Sequence, residues 1–512
     1  MQNNGMTSEF MTYSRNNGGR VLLLFLLFLL ALYQLTHAGF SSFAVVCLLP
    51  LLVIAVYCAF RWKMLAFWIL IFANYFIQMK DIATHLPVPI SLPNEMLQII
   101  LLAIAIIDAR ENPHFEKCVN LMLFALAIWC GFCTLEILNN TCGLGIDINS
   151  WYSGARLMAF QLMYIFLVFT IFISTPQNLL RYIIIWGGLV LFSAVWVWKQ
   201  VKIGFTPTEF TWLWTKGLTT HVLNAGTLIR YFSTFSDAAC YGCNAAASAA
   251  ALIIFAVTTK FNKLRLFFAF VAVFVIWGMF QSGTRTAIVC LAAGLMVYVV
   301  LSKSIKIAVP FSIVFAFFAF ILIFTDIGNS NQQMRRMRSA FKEDDASMNV
   351  RDINKAAIKK YIQDAPWGIG IGTGQNNVPA NNKYRKLTMI PPDSEYVYIW
   401  VRTGPIGMTV FIITTLMMLG GACWIVLFRL KNKSLIGIGG GLCSAFVAIQ
   451  LGGYANQILM QYPNCLMFYG GLSIVYILPY LEPAWIEYEN KKLAEQAEKK
   501  RLKLEKKLAS RV

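Results

Sequence analysis

Two arginines stand next to apolar runs, where they could bind an anionic group. Arg230 lies in the segment 228–237 (LIRYFSTFSD), just before an apolar run, and Arg285 lies in the turn 282–286 (SGTRT) between two apolar runs. Charged residues so close to a membrane span are costly and are candidates for function by default. A guanidinium group keeps its charge, and its planar donors match phosphate oxygens. Either arginine alone could instead extend toward lipid headgroups, but the pair beside a basic loop favours a phosphate-binding site.

Two carboxylates follow where the chain returns to an apolar run. Asp393 and Glu395 belong to the segment 391–396 (PPDSEY). A carboxylate at such a boundary could act as a general base toward a hydroxyl group. The same residues also suit a helix start, with Asp393 or Ser394 as the N-cap and Glu395 in the first turn. The sequence leaves both interpretations open.

Motifs for metal or cofactor binding are absent from the sequence. It has no HExxH and no Walker A motif, and its glycine-rich run 368–374 lacks the third glycine of the dinucleotide fingerprint. Its two CxxC pairs are explained by packing between apolar helices. The pairs are Cys130/Cys133 and Cys240/Cys243, and the histidines are His37, His85, His114 and His221. We expect neither a metal nor a cofactor, although one of the outer histidines could still approach the site.

The composition indicates which elements must position these residues. The 512 residues are 58% hydrophobic and 13% charged, with a mean hydropathy of +0.62, whereas a soluble domain would carry about 25% charged residues. A soluble globular enzyme and a disordered protein are therefore excluded. We predict an all-α polytopic integral membrane protein with about 12–14 transmembrane helices. The apolar runs lie near 21–36, 40–60, 64–79, 91–108, 118–137, 157–175, 180–199, 240–257, 264–281, 286–301, 307–325, 404–428, 434–452 and 466–482.

The basic residues are distributed between the apolar runs. The net charge of +19 comes from 43 Lys and Arg against 24 Asp and Glu. Because this charge does not form a continuous soluble surface, anionic membrane lipids and phosphorylated substrates are the expected partners, and nucleic acid is not. With the N-terminus in the cytoplasm, basic short loops such as 260–265 and 429–433 lie inside, as the positive-inside rule requires.

The same alternation of spans divides the chain into four regions. We predict an N-terminal membrane domain of about 11 helices at 1–326 and a large periplasmic loop at 327–393. C-terminal membrane helices follow at 394–484, and a basic cytoplasmic tail at 485–512. The large loop is too long to be a simple connector and is expected to be functional. Within it, the pattern of residues 352–363 predicts a helix.

The order of these motifs resembles the O-antigen ligase and O-antigen polymerase superfamily. After many spans, Arg230 precedes a Phe-x-Asp element, and an S-G-T-R turn then ends at Arg285. The large outer loop contains the segment 366–370 (PWGIG), and a TGPIG segment at 403–407 follows the loop. The resemblance covers about residues 230–407, whereas the N-terminal half matches only as a set of spans.

The resemblance implies a GT-C-like fold and an inverting, metal-independent glycosyltransferase. Its donor would be a glycan linked to undecaprenyl diphosphate, used on the periplasmic face of the bacterial inner membrane. Arg230 and Arg285 fall on the arginines that bind the donor diphosphate in this superfamily, and Arg338 of the loop joins them as a third candidate. Ligases of the family carry a His-Asn type pair at the end of the large loop. Here Asp393 and Ser394 stand there instead.

This departure leaves the catalytic base open. Asp393 or Glu395 takes the role, with Arg285 stabilising the leaving group, or no strong base is needed because diphosphate leaves easily. The acceptor is also open, since a ligase uses lipid A-core, whereas an O-antigen or exopolysaccharide polymerase uses another glycan repeat. Transfer to a protein hydroxyl is a third variant. An exporter of lipid-linked glycans is the alternative from another class, although it would favour charges in mid-span and short outer loops.

Overall fold

The structure is a computed structural model that describes most of the chain. The described residues are 18–37, 53–54, 56–85, 89–108, 115–223, 226, 228–304, 332–338, 346–374 and 377–509, with isolated positions between 309 and 327. The predicted apolar run 40–60 lies largely outside the described residues, the run 307–325 is described at only about half of its positions, and His114 lies wholly outside the described residues. The chain forms two compact units, residues 1–66 and 67–512, and all five predicted site residues belong to the second.

Helices make up most of the described structure, so the predicted all-α polytopic class is confirmed. The helices are α1 (Gly18–His37), α2 (Lys63–Phe76), α3 (Lys80–Ala83), α4 (Ser91–Asp108), α5 (Leu121–Leu135), α6 (Ile148–Ala155), α7 (Gln161–Phe172), α8 (Pro176–Lys202), α9 (Pro207–Thr215), α10 (Leu218–His221), α11 (Ala238–Thr258), α12 (Asn262–Gln281), α13 (Thr286–Leu301), α14 (Gln332–Arg338), α15 (Ala346–Ile362), α16 (Glu395–Trp424), α17 (Lys433–Ala455) and α18 (Gly470–Ala509). Two short strands, β1 (Val222–Leu223) and β2 (Leu228–Ile229), form an antiparallel hairpin.

Nine helical segments of the described chain are long and apolar enough to cross a membrane. They are Ser91–Asp108, Leu121–Leu138, Ile148–Phe172, Pro176–Lys202, Ala238–Thr258, Asn262–Gln281, Glu395–Arg429, Lys433–Ala455 and Cys465–Leu502. Three shorter apolar helices accompany them, at Gly18–Leu30, Lys63–Phe76 and Thr286–Leu301. A span takes about 20 residues, so nine described segments have the length of a span, and the lower end of the predicted number is reached only if the three shorter helices are counted.

Small side chains let the central helices approach each other closely. α11 carries the run 245–251 (AAASAAA), and α17 carries the run 437–441 (GIGGG). A Cβ added at Gly441 would lie 2.5 Å from the Phe255 ring of α11. Helices in a membrane associate through such close packing because lipid offers no hydrophobic driving force between them. α11 and α17 therefore form the most enclosed part of the bundle.

The two ends of the bundle carry different polar contacts. At one end, Glu489 of α18 accepts hydrogen bonds from Lys260 Nζ at 2.7 Å and from Ser434 Oγ at 2.5 Å. This carboxylate ties the α11–α12 connection to α17 and α18. α11 begins, α12 ends and α13 begins at the opposite end, which we call the site end.

The large loop folds against the site end through its glycine-rich segment. Ile369 N donates to Val401 O and Gly370 N donates to Arg402 O, both at 3.0 Å. The two acceptor carbonyls belong to α16 and lie just before Gly404, whose φ of +67° interrupts the helix. The left-handed conformation favours glycine. The predicted loop helix is confirmed as α15, which begins earlier than expected, at Ala346, and ends at Ile362.

Candidate functional site

Arg230 is held in one orientation by backbone and side-chain acceptors. It follows β2, and its backbone N–H donates to His221 O at 2.9 Å. Its guanidinium donates through Nε to Ser282 O at 3.2 Å, and through Nη1 to Thr220 O at 3.0 Å. Nη2 donates to Thr284 Oγ1 at 3.1 Å. The hairpin and the α12–α13 turn thus meet at this half-buried arginine.

The turn between α12 and α13 is itself pinned to α11. Thr284 Oγ1 donates to Ala238 O at 2.8 Å, and Thr284 N donates to Ser282 Oγ at 3.2 Å. Gly283 takes a φ of +58°, which an L side chain rarely adopts. Arg285 ends this turn and immediately precedes α13, where it is half-buried. The S-G-T-R motif is therefore a rigid turn that holds Arg285 next to the start of α11.

Like charges gather around Arg230. Burial lowers the pKa of Arg230, the carboxylate of Asp237 opposes that shift, and the charges of Arg285 and Arg351 lower the pKa further. Asp237 caps α11, since its Oδ1 accepts the N–H groups of residues 239 and 240 at 2.8 Å each. Its charge is thus shared with the helix start. The net positive potential of the three arginines fits a multiply charged anion such as a diphosphate.

His221 is brought to this site as a neutral, structural group. Its Nε2 accepts the N–H of Ala238 at 3.0 Å, so Nδ1 carries the proton and faces Thr220 Oγ1 at 2.7 Å. Burial, followed by the charge of Arg230, lowers the pKa of His221 to about 4. Because its acceptor nitrogen is occupied, His221 positions the start of α11 and is not a base. Of the outer histidines left open by the sequence, this one approaches the site.

Lys80 is a buried cation that the sequence analysis did not single out. Its Nζ donates to Ser236 O at 2.5 Å and lies 3.7 Å from the centre of the Trp212 ring. Burial lowers the pKa of Lys80 to about 8, against the opposing charge of Asp237. Lys80 therefore holds the segment between Arg230 and α11 through the Ser236 carbonyl. A lone lysine following the apolar stretch of α2 was the available signal.

Arg336 donates a hydrogen bond to the S-G-T-R turn, whereas Arg338 donates hydrogen bonds to carbonyls that precede α14. Arg336 Nε donates to Gly283 O at 2.8 Å. The buried Arg338 donates through Nη2 to Ile321 O at 3.4 Å and to Ile327 O. Those carbonyls precede α14 in the chain. The assignment of Arg338 to the diphosphate stays a prediction, and Arg336 of the same helix contacts the turn.

Asp393 and Glu395 have different surroundings. Glu395 is buried, and its Oε2 accepts the N–H of Leu459 at 3.0 Å. The neighbouring Ser394 donates through Oγ to Gly453 O at 3.2 Å. Asp393 is half-buried at a φ of +52°, and its Oδ2 accepts from Asn354 Nδ2 at 2.6 Å. Glu395 thus ties α16 to the α17–α18 connection, while Asp393 faces the large loop.

α15 connects Asp393 with the arginines. Arg351 acts electrostatically on Arg230, and Asn354 of the same helix binds Asp393. Three residues of helix rise by about 4.5 Å. The structure therefore brings Arg230, Arg285 and Asp393 toward one region through α15, and it assigns Glu395 to the backbone of a different segment. Among the described residues, no group of three or more His, Cys, Asp or Glu side chains could hold a metal ion.

Part of the chain is similar to a known protein family. Residues 270–412 match the model of a family described as O-Antigen ligase. The match covers just over a quarter of the chain and includes Arg285 and Asp393, whereas Arg230 lies before it. It confirms the predicted resemblance to the O-antigen ligase and polymerase superfamily and supports lipid-linked glycan transfer as the general activity. No curated protein matches the chain.

Proposed function

We propose, on the premise of the O-Antigen ligase match, that this protein is an inverting glycosyltransferase of the ligase type. It moves a glycan from undecaprenyl diphosphate to a hydroxyl group of lipid A-core on the periplasmic face of the inner membrane. The observation that carries the proposal is the rigid placement of Arg230 beside the charges of Arg285 and Arg351. Three neighbouring cations at the edge of the spans, one of them held by three hydrogen bonds, suit a lipid diphosphate better than a neutral ligand.

The reaction follows from this charge distribution. The acceptor oxygen bonds to the anomeric carbon from the side opposite the diphosphate, and the bond between that carbon and the diphosphate oxygen breaks. Negative charge grows on the leaving oxygen, where Arg230 and Arg285 stabilise it. Preorganised cations of this kind cost no reorganisation at the moment of reaction. The diphosphate is already a good leaving group, so the step needs neither ATP nor a metal.

Asp393 is the better candidate for the base. The acceptor loses one proton as its oxygen attacks, and a carboxylate within reach can take it. Asp393 has a single described side-chain hydrogen bond, to Asn354, and is half-buried. Glu395 is buried and engaged by the backbone of Leu459. The proton therefore passes to Asp393 and from there to water.

A transfer assay with two arginine variants tests the proposal. Purified protein in vesicles receives undecaprenyl-diphosphate-linked glycan and lipid A-core, with EDTA present in a parallel sample. Arg285→Ala should abolish transfer while remaining in the membrane. Arg265→Ala is the matched control, because Arg265 lies at the far end of the bundle and donates to Thr259 O at 2.9 Å. Transfer by wild type and by Arg265→Ala should continue in EDTA.

The products of the same assay separate the alternatives. Glycan attached to lipid A-core indicates a ligase, and glycan repeats joined to each other indicate a polymerase that uses the same site. Movement of labelled donor across the vesicle membrane without a new glycosidic bond indicates an exporter and contradicts the proposal. A fully active Arg285→Ala protein contradicts the role of the arginine.

A further inference from the structure

A groove opens between the loop helix α15 and the kinked helix α16. Its volume is about 500 Å³, and Lys355 and Lys359 of α15 form one wall. Trp400 and Met408 of α16 and Tyr454 at the end of α17 form the rest. Ligand sites in proteins commonly enclose about 300–1,000 Å³. The groove is thus large enough for part of a lipid.

The groove is lined by both charged and apolar side chains. Lys355 and Lys359 are one helical turn apart and therefore lie on the same face of α15. The Lys355 ammonium lies 4.8 Å from the centre of the Tyr454 ring. The apolar lining includes Trp400 and Met408, and Met408 follows the Gly404 kink within the apolar span. This combination complements a lipid that has an anionic head and a hydrocarbon chain.

The exposed residues of α15 place the groove at the membrane boundary. Val350 is 55% exposed and Ile353 is 67% exposed, although the helix otherwise carries mainly polar and basic side chains on its surface. Ile406, just beyond the kink in α16, is also exposed. Apolar side chains on the outside of a basic helix are typical of a helix lying in the membrane interface. A lipid could therefore enter the groove from the side.

The lysines of the groove lie on the same helix as Arg351 of the candidate site. Arg351, Lys355 and Lys359 recur every four residues along α15 and form one basic stripe. Arg351 acts on Arg230, and Ser394, next to Asp393, lines the groove. Arg351 and Lys359 are separated by about 12 Å of helix. Because of that separation, we expect Lys359 to contact a second anionic lipid beside the donor and not the diphosphate that lies near Arg351.

We propose that this groove binds the lipid anchor of the acceptor, a membrane lipid that carries phosphate. The phosphate lies on Lys355 and Lys359, and the hydrocarbon chain lies against Trp400 and Met408. The identity of the occupant as acceptor rests on the proposed glycosyltransferase function, whereas the binding of a phosphorylated lipid does not. The arrangement leaves the acceptor head group beside Asp393 and the donor diphosphate on the arginines.

Binding of lipid A to purified protein in detergent tests the groove without any reaction. The double variant Lys355→Ala/Lys359→Ala should bind lipid A roughly tenfold more weakly or worse, since each basic residue near a membrane contributes to anionic-lipid binding. Lys360→Ala is the matched control, because Lys360 is exposed on the same helix outside the groove. The affinity of the double variant for undecaprenyl diphosphate should equal that of wild type.

Three outcomes would overturn the proposal. The double variant could bind lipid A as tightly as wild type does, or Lys360→Ala could lose as much lipid A affinity as the double variant. The double variant could also lose affinity for undecaprenyl diphosphate while it keeps its affinity for lipid A. A deacylated, phosphorylated disaccharide should bind far more weakly than lipid A, and equal binding would indicate a site for free phosphate and not for a lipid.

A transfer assay then separates the groove from the proposed function. In the double variant, KM for lipid A-core should rise by the factor lost in binding, while kcat is retained. An unchanged KM for the acceptor would show that the bound lipid is not the acceptor. If wild type transfers no glycan, the proposed function fails, but the binding measurement still decides whether the groove holds a phosphorylated lipid.

Discussion

Two groups of charged residues lie at the same end of the bundle. The arginine centre comprises Arg230, Arg285 and Arg351, and the carboxylate corner comprises Asp393 and Glu395. Their charges have different surroundings. At the arginine centre, Arg230 is fixed by three acceptors, and the charges of Arg285 and Arg351 act on it. At the corner, Glu395 is buried and accepts a backbone N–H. The first arrangement concentrates charge that an anion can neutralise. The second uses its charge to hold the protein chain.

The comparison shows that a charge at a membrane boundary is not by itself a functional signal. Burial is costly for every ion, so each buried charge needs partners. Where those partners are backbone amides, as for Glu395, the group is committed to the fold. Arg230 also donates to two carbonyls and to Thr284, but the charges of Arg285 and Arg351 act on it as well, so the site keeps positive charge for a ligand. Asp393 is intermediate, because it accepts one hydrogen bond from the Asn354 amide but stays partly exposed.

The largest effect is expected from the arginines. Arg285→Ala should lower kcat/KM for transfer roughly a thousandfold, because a fixed cation would be lost where charge grows in the transition state. Arg285→Lys should recover only part of this loss, since an ammonium cannot reproduce the planar donor pair. Steady-state transfer from undecaprenyl-diphosphate-linked glycan measures both. Full recovery by lysine would mean that charge alone matters and that the planar donor pair of arginine does not.

A smaller loss is expected for Asp393→Asn. The amide keeps the shape and can still bond to Asn354, but it cannot accept a proton. The rate should fall roughly a hundredfold, the low end of general-base contributions, because the leaving group is good. Donor affinity should stay at the wild-type value. A wild-type rate would show that the reaction proceeds without a base.

Glu395→Gln should change the rate only a few-fold. The glutamine oxygen can accept the N–H of Leu459, although a neutral acceptor binds more weakly than a carboxylate. Glu395→Ala removes the acceptor and should instead reduce the amount of folded protein recovered from membranes. Transfer rates normalised to folded protein separate these effects. If Glu395→Gln is inactive while remaining folded, Glu395 is the base and the comparison between the two centres is wrong.

The smallest effect is a pH dependence from Lys80. Its pKa is lowered to about 8 by burial, so the side chain is charged below pH 8 and loses its charge as the pH rises toward 9. The cation–π contact with Trp212 is then lost, and donor affinity should weaken a few-fold. Lys80→Met should bind more weakly at pH 7 and show no further change between pH 7 and 9. An identical pH response in both proteins would assign it to another group.

The sequence was sufficient where neighbours in the chain define the feature. Hydropathy predicted the class of fold, and the S-G-T-R turn and the arginine before Phe-x-Asp predicted a basic site. The pattern at 352–363 predicted α15, although the helix begins earlier, at Ala346. These features depend on local composition and on short motifs, which a single sequence displays.

Contacts between distant residues could not be predicted. The carbonyl bound by Lys80 belongs to Ser236, and the acceptor nitrogen of His221 binds Ala238 across a turn. The backbone amide that engages Glu395 belongs to Leu459. No residue spacing indicates such pairs, because tertiary packing creates them. The sequence therefore named Asp393 and Glu395 as equal candidates, and only their partners separate them.

The affinity for undecaprenyl diphosphate tests the central claim most directly, because it requires neither the glycan nor the acceptor. We would compare wild type, Arg285→Ala and the far-end control Arg265→Ala in detergent, each checked for monodispersity. The account predicts that Arg285→Ala binds roughly tenfold more weakly or worse, the value of a charged hydrogen bond, while Arg265→Ala binds like wild type. Equal affinity in all three proteins would contradict the claim that the arginine centre holds the donor diphosphate.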